Sequence, residues 1–295
     1  MMQRVSVLAL MLSVMLLAAW FGTRYWIEQR VVNAIEFQLA LLPAAVEVRY
    51  GQVRVDLPSL RTHIHDIVVR LGDGEPPVRV QRLTVHGVDR DNRLPRHLDM
   101  ELVGLRQNLA QSAQPYARFL HGYGFEETHG DLALRYHFDI EQQRLHLDRL
   151  LVDLAPLGRL DVTARLRIAS VSGVLYRDWR PEEAVALEQL IASWEDIELV
   201  RRMMLFAATG MGMTPTTLAA NIAAELDHSA AAFETPRLDA TVETLWQFLP
   251  DPGAVTLYLE PEQPLALTGL RDTALVNPPK AALDTRLLIE PGRWR

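Results

Sequence analysis

The side chains best suited to acid–base or metal chemistry lie in four short phrases: His63-Ile-His65-Asp66, His129-Gly-Asp131, His137-Phe-Asp139 and His146-Leu-Asp148. Alternate residues of an extended strand share a face, so His63 and His65 stand on one side, close enough to share a metal ion as a metal-assisted hydrolase would. A metal centre needs a third ligand and hydrogen bonds behind its ligands, and no further ligand stands at a fitting spacing. In the other phrases an aspartate two residues on can orient a histidine as a general base. No serine or threonine occupies the glycine-flanked turn that presents a nucleophile. Gly210-Met-Gly212 lacks the lysine and the glycine spacing of a phosphate loop. Met203, Met204, Met211 and Met213 gather around it as adaptable apolar filling. The expectation is therefore a protein without catalytic residues, metal ligands or cofactor.

The elements that hold these histidines read as strands. In Asp131–Asp139, Leu132, Leu134, Tyr136 and Phe138 alternate with polar partners. Leu145 and Leu147 continue the pattern in Arg144–Asp148, and Leu160, Val162, Leu166 and Ile168 in Arg159–Ile168. Period-two alternation between short polar turns predicts an antiparallel meander with one apolar and one wet face, the histidines on the wet one. Earlier strands are expected at Thr62–Leu71, Val78–His86 and His97–Leu105. Val46, Val48 and Tyr50 also alternate, and the parity shifts after Gly51 to Val53, Val55 and Leu57, as a bulge or tight bend requires.

Helical signals frame this meander. Arg106–His121 reads as a short helix kinked near Pro115. From Pro181 to about residue 250 a helical block is predicted: Val185, Leu190, Ile191, Trp194, Ile197, Val200, Met203 and Met204 fall near a 3.6-residue period. Thr214-Pro215 and Thr235-Pro236 look like helix starts. Strands resume at Ala254–Leu259, Pro264–Leu267 and Thr285–Ile289.

At the amino terminus, Val5 to Thr23 carries no charge between Arg4 and Arg24. About nineteen residues at 1.5 Å each span about 28 Å, close to a bilayer's hydrocarbon core. Residues 1–26 are thus expected to be an uncleaved transmembrane anchor, with Leu8, Leu12, Leu16 and Trp20 facing lipid. Trp20, Phe21, Tyr25 and Trp26 suit the interface, and Leu17 and Trp20 fit poorly at the −3 position of a cleavage site. A cleaved signal peptide is the rival reading. Residues 27–43 continue as a juxtamembrane helix with Val31, Ile35, Leu39 and Leu42 on one stripe, stopped by Pro43. Residues 44–295 would form the extracytoplasmic domain.

The chain has 295 residues and a net charge of −7, with no basic stripe interleaved with aromatics, which argues against nucleic acid as a partner. Lys280 is the only lysine, and the absence of cysteine excludes disulfides and lipoprotein processing. Together these features predict an α+β fold: an N-terminal transmembrane helix, then a curved, mostly antiparallel β-sheet with a helical insertion packed on its apolar face.

Several phrases resemble the AsmA-like and YdgA-like bacterial envelope proteins: VRYGQVRVDLPS (Val48–Ser59), VQRLTVHGVD (Val80–Asp89), LPRHLDMELVGLR (Leu94–Arg106), YHFDIEQQRLHLDRLLVDLAPLGRLDVTARL (Tyr136–Leu166) and FLPDPGAVTLYLEPEQPLALTGL (Phe248–Leu270). They are motifs of architecture. The resemblance implies a curved sheet with an apolar groove serving lipid transport or envelope maintenance. This chain is shorter than the long members and carries a helical insert. The expected function is that of a non-enzymatic, membrane-anchored envelope protein that binds or handles phospholipid on a sheet surface formed by Leu132, Leu134, Tyr136, Phe138, Leu145, Leu147, Leu160 and Val162. Its place would be the bacterial inner membrane, single-pass, with the domain in the periplasm. The alternative is a scaffold that binds another envelope protein.

Overall fold

The computed structural model describes residues 23–37, 39–40, 42–72, 74–88, 96–168, 185–232, 248–249, 252–261, 263–266 and 286–291. Helix α1 covers residues 23–37. The strands β1 (Val46–Arg49), β2 (Gln52–Asp56), β3 (Arg61–Leu71), β4 (Val78–Val88) and β5 (His97–Asn108) follow. After α2 (Pro115–Gly122) come β6 (Glu127–Asp139), β7 (Arg144–Ala155), β8 (Gly158–Ile168) and β9 (Val185–Asp196). Helices α3 (Leu199–Gly210) and α4 (Pro215–Ala232) precede β10 (Ala254–Glu260), β11 (Leu265–Ala266) and β12 (Arg286–Pro291).

The described strands all join one 12-stranded sheet, in the order β1-β3-β4-β5-β6-β7-β8-β9-β10-β12, with β2 on β3 and β11 on β9. Every pairing is antiparallel. From β3 to β10 each long strand pairs with its successor in sequence, whether the two are joined by a short turn or by a longer excursion.

Two expectations are corrected by this architecture. The first is the transmembrane anchor, together with the single-pass inner-membrane placement and the periplasmic domain. Among the described residues no helix is long and apolar enough to cross a membrane. Leu8, Leu12, Leu16 and Trp20 fall outside the described residues. Helix α1 carries Arg24, Glu28, Arg30 and Glu36 and lies on the sheet. Its Val31 is 5% exposed, Ile35 packs beside Ile64, Ile67 and Val80, and the Glu28 carboxylate accepts the backbone N–H of Val55 at 3.2 Å.

The second correction concerns the helical layer: the fold is a mostly antiparallel sheet with few helices, not an α+β body. Val185–Asp196, expected to be helical, is a strand in the middle of the sheet. The register of β8 on β9 slips between Arg165 and Leu166, so the apolar side of β9 runs Val185, Leu187, then Leu190, Ala192, Trp194. That three-residue step inside a period of two imitates helical spacing. Helices do form over Leu199–Gly210 and Pro215–Ala232, with Thr214 Oγ1 accepting the Thr217 amide at 3.1 Å as the expected cap. They pack on each other through Met204, Ala208, Leu218 and Ala219, a cluster that, among the described residues, includes none from a strand. The expected helix at Thr235-Pro236 lies outside the described residues.

Arg106–Asn108 belong to β5, and the helix that was expected to kink at Pro115 instead begins there. Proline is tolerated in a first turn because its missing N–H has no partner to lose.

Candidate functional site

One line of irregularity crosses the first strands. By register Gly51 stands opposite Asp66, Asp66 opposite Gln81, and Gln81 opposite Gly104. Asp66 and Gly104 have φ of 55° and 69°. At this crease the apolar side steps by an extra residue in each strand: Ile64 to Ile67, Leu83 to Val80, Leu102 to Leu105. The parity shift at Gly51 is the edge of that line. Its effect is to keep Leu, Ile and Val on a single face along the full length of strands whose alternation would otherwise be broken.

The apolar face is built from cross-strand rows. Leu102, Leu132, Val152, Leu160, Trp194 and Val255 follow one another across β5 to β10. The next row runs Met100, Leu134, Leu150, Val162, Ala192 and Leu257; beyond it lie Leu98, Tyr136, Leu147, Ala164, Leu190 and Leu259. Phe138 pairs with Leu145, and Leu145 with Leu166. The sequence-predicted residues Leu132, Leu134, Tyr136, Phe138, Leu145, Leu147, Leu160 and Val162 thus all share this face.

Leu150, Val152 and Leu154 join it too, although they follow Leu147 in the wrong parity. The reason is an extra residue in β7 around Asp148 and Arg149, visible as register slips against both neighbours. No regular alternation can reveal such a step in advance.

Every residue of these three rows is half-buried rather than buried. Buried side chains lie around them: Ile64, Ile67 and Val80 under α1, Leu109, Ala117, Phe125 and Leu157 at one end, and Ile168, Val185, Leu187 and Leu265 at the other end of β8 and β9. The described face is therefore a half-buried apolar strip, or trough, covered at one flank by α1 and closed at one end by α2 and the start of α3. Burial raises the Tyr136 phenol above its ordinary value, in keeping with a ring lying on this surface. The indole Nε1 of Trp194 is shielded from solvent without a hydrogen-bond partner.

That closed end is held by backbone bonds. The Leu157 carbonyl accepts the amides of Ile197, Glu198 and Leu199 at 3.2–3.3 Å, and the Asp196 carboxylate accepts those of Val200 and Arg201. Glu75 reaches from the β3–β4 loop to Ser112 Oγ (2.8 Å) and the Ala113 amide (3.1 Å), fixing the approach to α2.

The opposite face is polar. Arg135 pairs with Asp99 at 2.9 Å, and Glu188, with a side chain 11% exposed, holds both Arg144 (2.9 Å) and Arg167 (2.7 Å). His97, His137, His146 and Arg165 form one cross-strand row. The rings of His137 and His146 stack 4.6 Å apart, and His137 Nδ1 meets Asp148 Oδ2 at 2.8 Å. The aspartate partner of His137 is thus Asp148 of the next strand, not Asp139. Burial first, then His137 and Arg165, hold the His146 imidazole below its ordinary pKa. Burial first, then Arg82 and His65, do the same for His63.

His63 and His65 share this polar face, yet His63 Nδ1 meets Thr84 Oγ1 at 3.1 Å. Among the described residues no group of three or more His, Asp or Glu converges as a metal site. Thr84 is 3% exposed, within a strand paired to β3 and β5. What this arrangement does offer is a broad apolar surface backed by a charge-paired polar one.

A family model described as an uncharacterized protein matches residues 152–288, from within β7 into β12. No curated protein is significantly similar to the chain.

Proposed function

We propose that this protein is a non-enzymatic binding protein that holds an apolar chain, the acyl part of a phospholipid or fatty acid, along the trough formed by β5 to β10. The observation that carries this reading is the half-buried state of the central rows, Met100–Leu134–Leu150–Val162 above all. Apolar rows left partly open to water mark a binding face, because that contact is costly at about 25 cal/mol per Å². A sheet that was only a structural layer would bury these side chains under helices, as α1 does with Ile64 and Val80. The resemblance to AsmA-like envelope proteins points in the same direction.

The test is direct. Native mass spectrometry of the purified chain is expected to show bound phospholipid or fatty acid, and a fluorescent fatty acid is expected to be displaced by unlabelled oleate. Absence of both signals would sink the reading and favour a scaffold whose apolar face is covered by another protein chain.

A further inference from the structure

We propose that the outward faces of α2 and α3 form a docking surface for an anionic phospholipid bilayer, on which the trough's closed end would rest. The proposal relies on the reading above for the choice of lipid as occupant, but on different residues. Phe119, Leu205, Phe206 and Met211 are 51%, 56%, 61% and 63% exposed, and Tyr116, one turn before Phe119 on α2, is exposed as well. Isolated exposed apolar residues need no explanation, whereas a contiguous aromatic patch does. Here the contiguity is explicit: Tyr123 meets Phe119 edge-on at 5.0 Å and Phe206 at 5.2 Å. A cavity of about 540 Å³ opens between Tyr123, Leu205 and Phe206.

Charge selects the partner. In a chain of net charge −7, α2 and α3 carry Arg118, Arg201 and Arg202 and no acidic residue. Glu198, immediately before α3, pairs with Arg202, which also donates to the Gly124 carbonyl at 2.8 Å and lies over the Phe125 ring. Aromatic rings at the headgroup level with arginines beside them match an anionic bilayer, to which each nearby arginine contributes about 1 kcal/mol. A second copy of the chain in a two-fold contact would instead set arginines against arginines. Position also fits: Tyr123 packs in the same cluster as Leu154, the last apolar residue of β7 on the trough face. A bilayer touching α2 and α3 would therefore adjoin the trough, and no helix need cross it.

The chain has no cysteine, so Leu205→Cys accepts a single environment-sensitive nitrobenzoxadiazole label, and Gln142→Cys, in the β6–β7 turn at the other end of the sheet, serves as reference. Phosphatidylcholine vesicles containing phosphatidylglycerol are expected to brighten the label at 205 and leave that at 142 unchanged. Brominated acyl chains should quench only the former. Because the readout is local to α3, it does not depend on how other parts of the chain meet the vesicle. Arg118→Gln with Arg201→Gln is expected to weaken this response about tenfold, or about 1.4 kcal/mol. Phe119→Ser with Phe206→Ser, checked for folding by circular dichroism, should abolish it while fatty-acid binding in the trough persists. A silent label at 205, equal responses at both positions, or a response to protein concentration without vesicles would each overturn the proposal. Loss of fatty-acid binding by the wild type, with the label response intact, rejects the trough and leaves the docking surface standing.

Discussion

The backbone amide of Gly104 donates to the carboxylate of Asp131 at 2.8 Å, where the register of β5 on β6 slips. Gly104 has φ of 69°, and a Cβ there would sit 2.8 Å from the Cβ of Gln81. Gly104→Ala is therefore expected to lower the unfolding free energy by about 1–3 kcal/mol. Asp131→Ala, which leaves that amide without its acceptor, should lower it by about 1–3 kcal/mol as well. Because the two residues are in direct contact, their effects should couple, and the double variant should lose less than the sum, as measured by urea titration.

Gly158 makes room for Trp194. A Cβ at 158 would lie 2.4 Å from Trp194 Cζ2 and 2.6 Å from the Glu195 carbonyl oxygen. Gly158→Ala should displace the indole, change the near-ultraviolet circular dichroism, and lower the melting temperature by several degrees, on the order of 1–3 kcal/mol. An unchanged spectrum would mean that the indole does not lean on residue 158.

Acid should weaken the fold through His63 and His146. Both imidazoles are held below their ordinary value in the folded chain, chiefly by burial, with Arg82 and His65 acting on His63 and His137 and Arg165 on His146. Asp56 acts in the opposite sense on His63, and Asp148 and Asp139 on His146. The unfolded chain then binds more protons below the ordinary histidine value of about 6.5, so stability rises with pH across that window. Stability present above about pH 6.5 is lost as pH falls toward the depressed folded values. His63→Gln with His146→Gln should flatten the dependence of urea midpoints between about pH 7 and 5. An unaltered slope would assign the effect to other groups.

Leu150 lies at the centre of the trough, opposite Leu134 on one side and Val162 on the other. Leu150→Asp places a carboxylate where an acyl chain would lie and should weaken fluorescent fatty-acid binding by about tenfold or more. Leu151 has the opposite orientation, pairing with Ala133 and Asp161 on the polar face. Leu151→Asp is expected to leave binding unchanged, which controls for loss of stability.

The strands from β3 to β8 were legible because each buries one face, so apolar residues recur at every second position on either side of the inserted residues. What escaped notice has a common cause. At Asp148–Arg149 and near Glu188 one inserted residue resets the parity, and alternation read in a straight line then ends β7 at Asp148 instead of Ala155 and takes β9 for a helix. The partnership of His137 with Asp148 across the hairpin was hidden for the same reason, since it depends on register rather than spacing. The exposed rings on α2 and α3 could not be anticipated: which side of a short helix stays bare is decided by its neighbours, here Leu109, Leu157 and Leu199.

The excursion that carries α3 and α4 leaves the sheet and returns to it at almost the same point. The amide of Asp196 donates to the carbonyl of Gly253 at 2.8 Å, and Glu195 pairs with Ala254. Strands β9 and β10 are thus already the arms of a hairpin, and the helices decorate its tip. A chain in which residues 199–249 are replaced by a short Asn-Gly turn should still zip its sheet together, giving a minimal version of the scaffold with its decorated end removed.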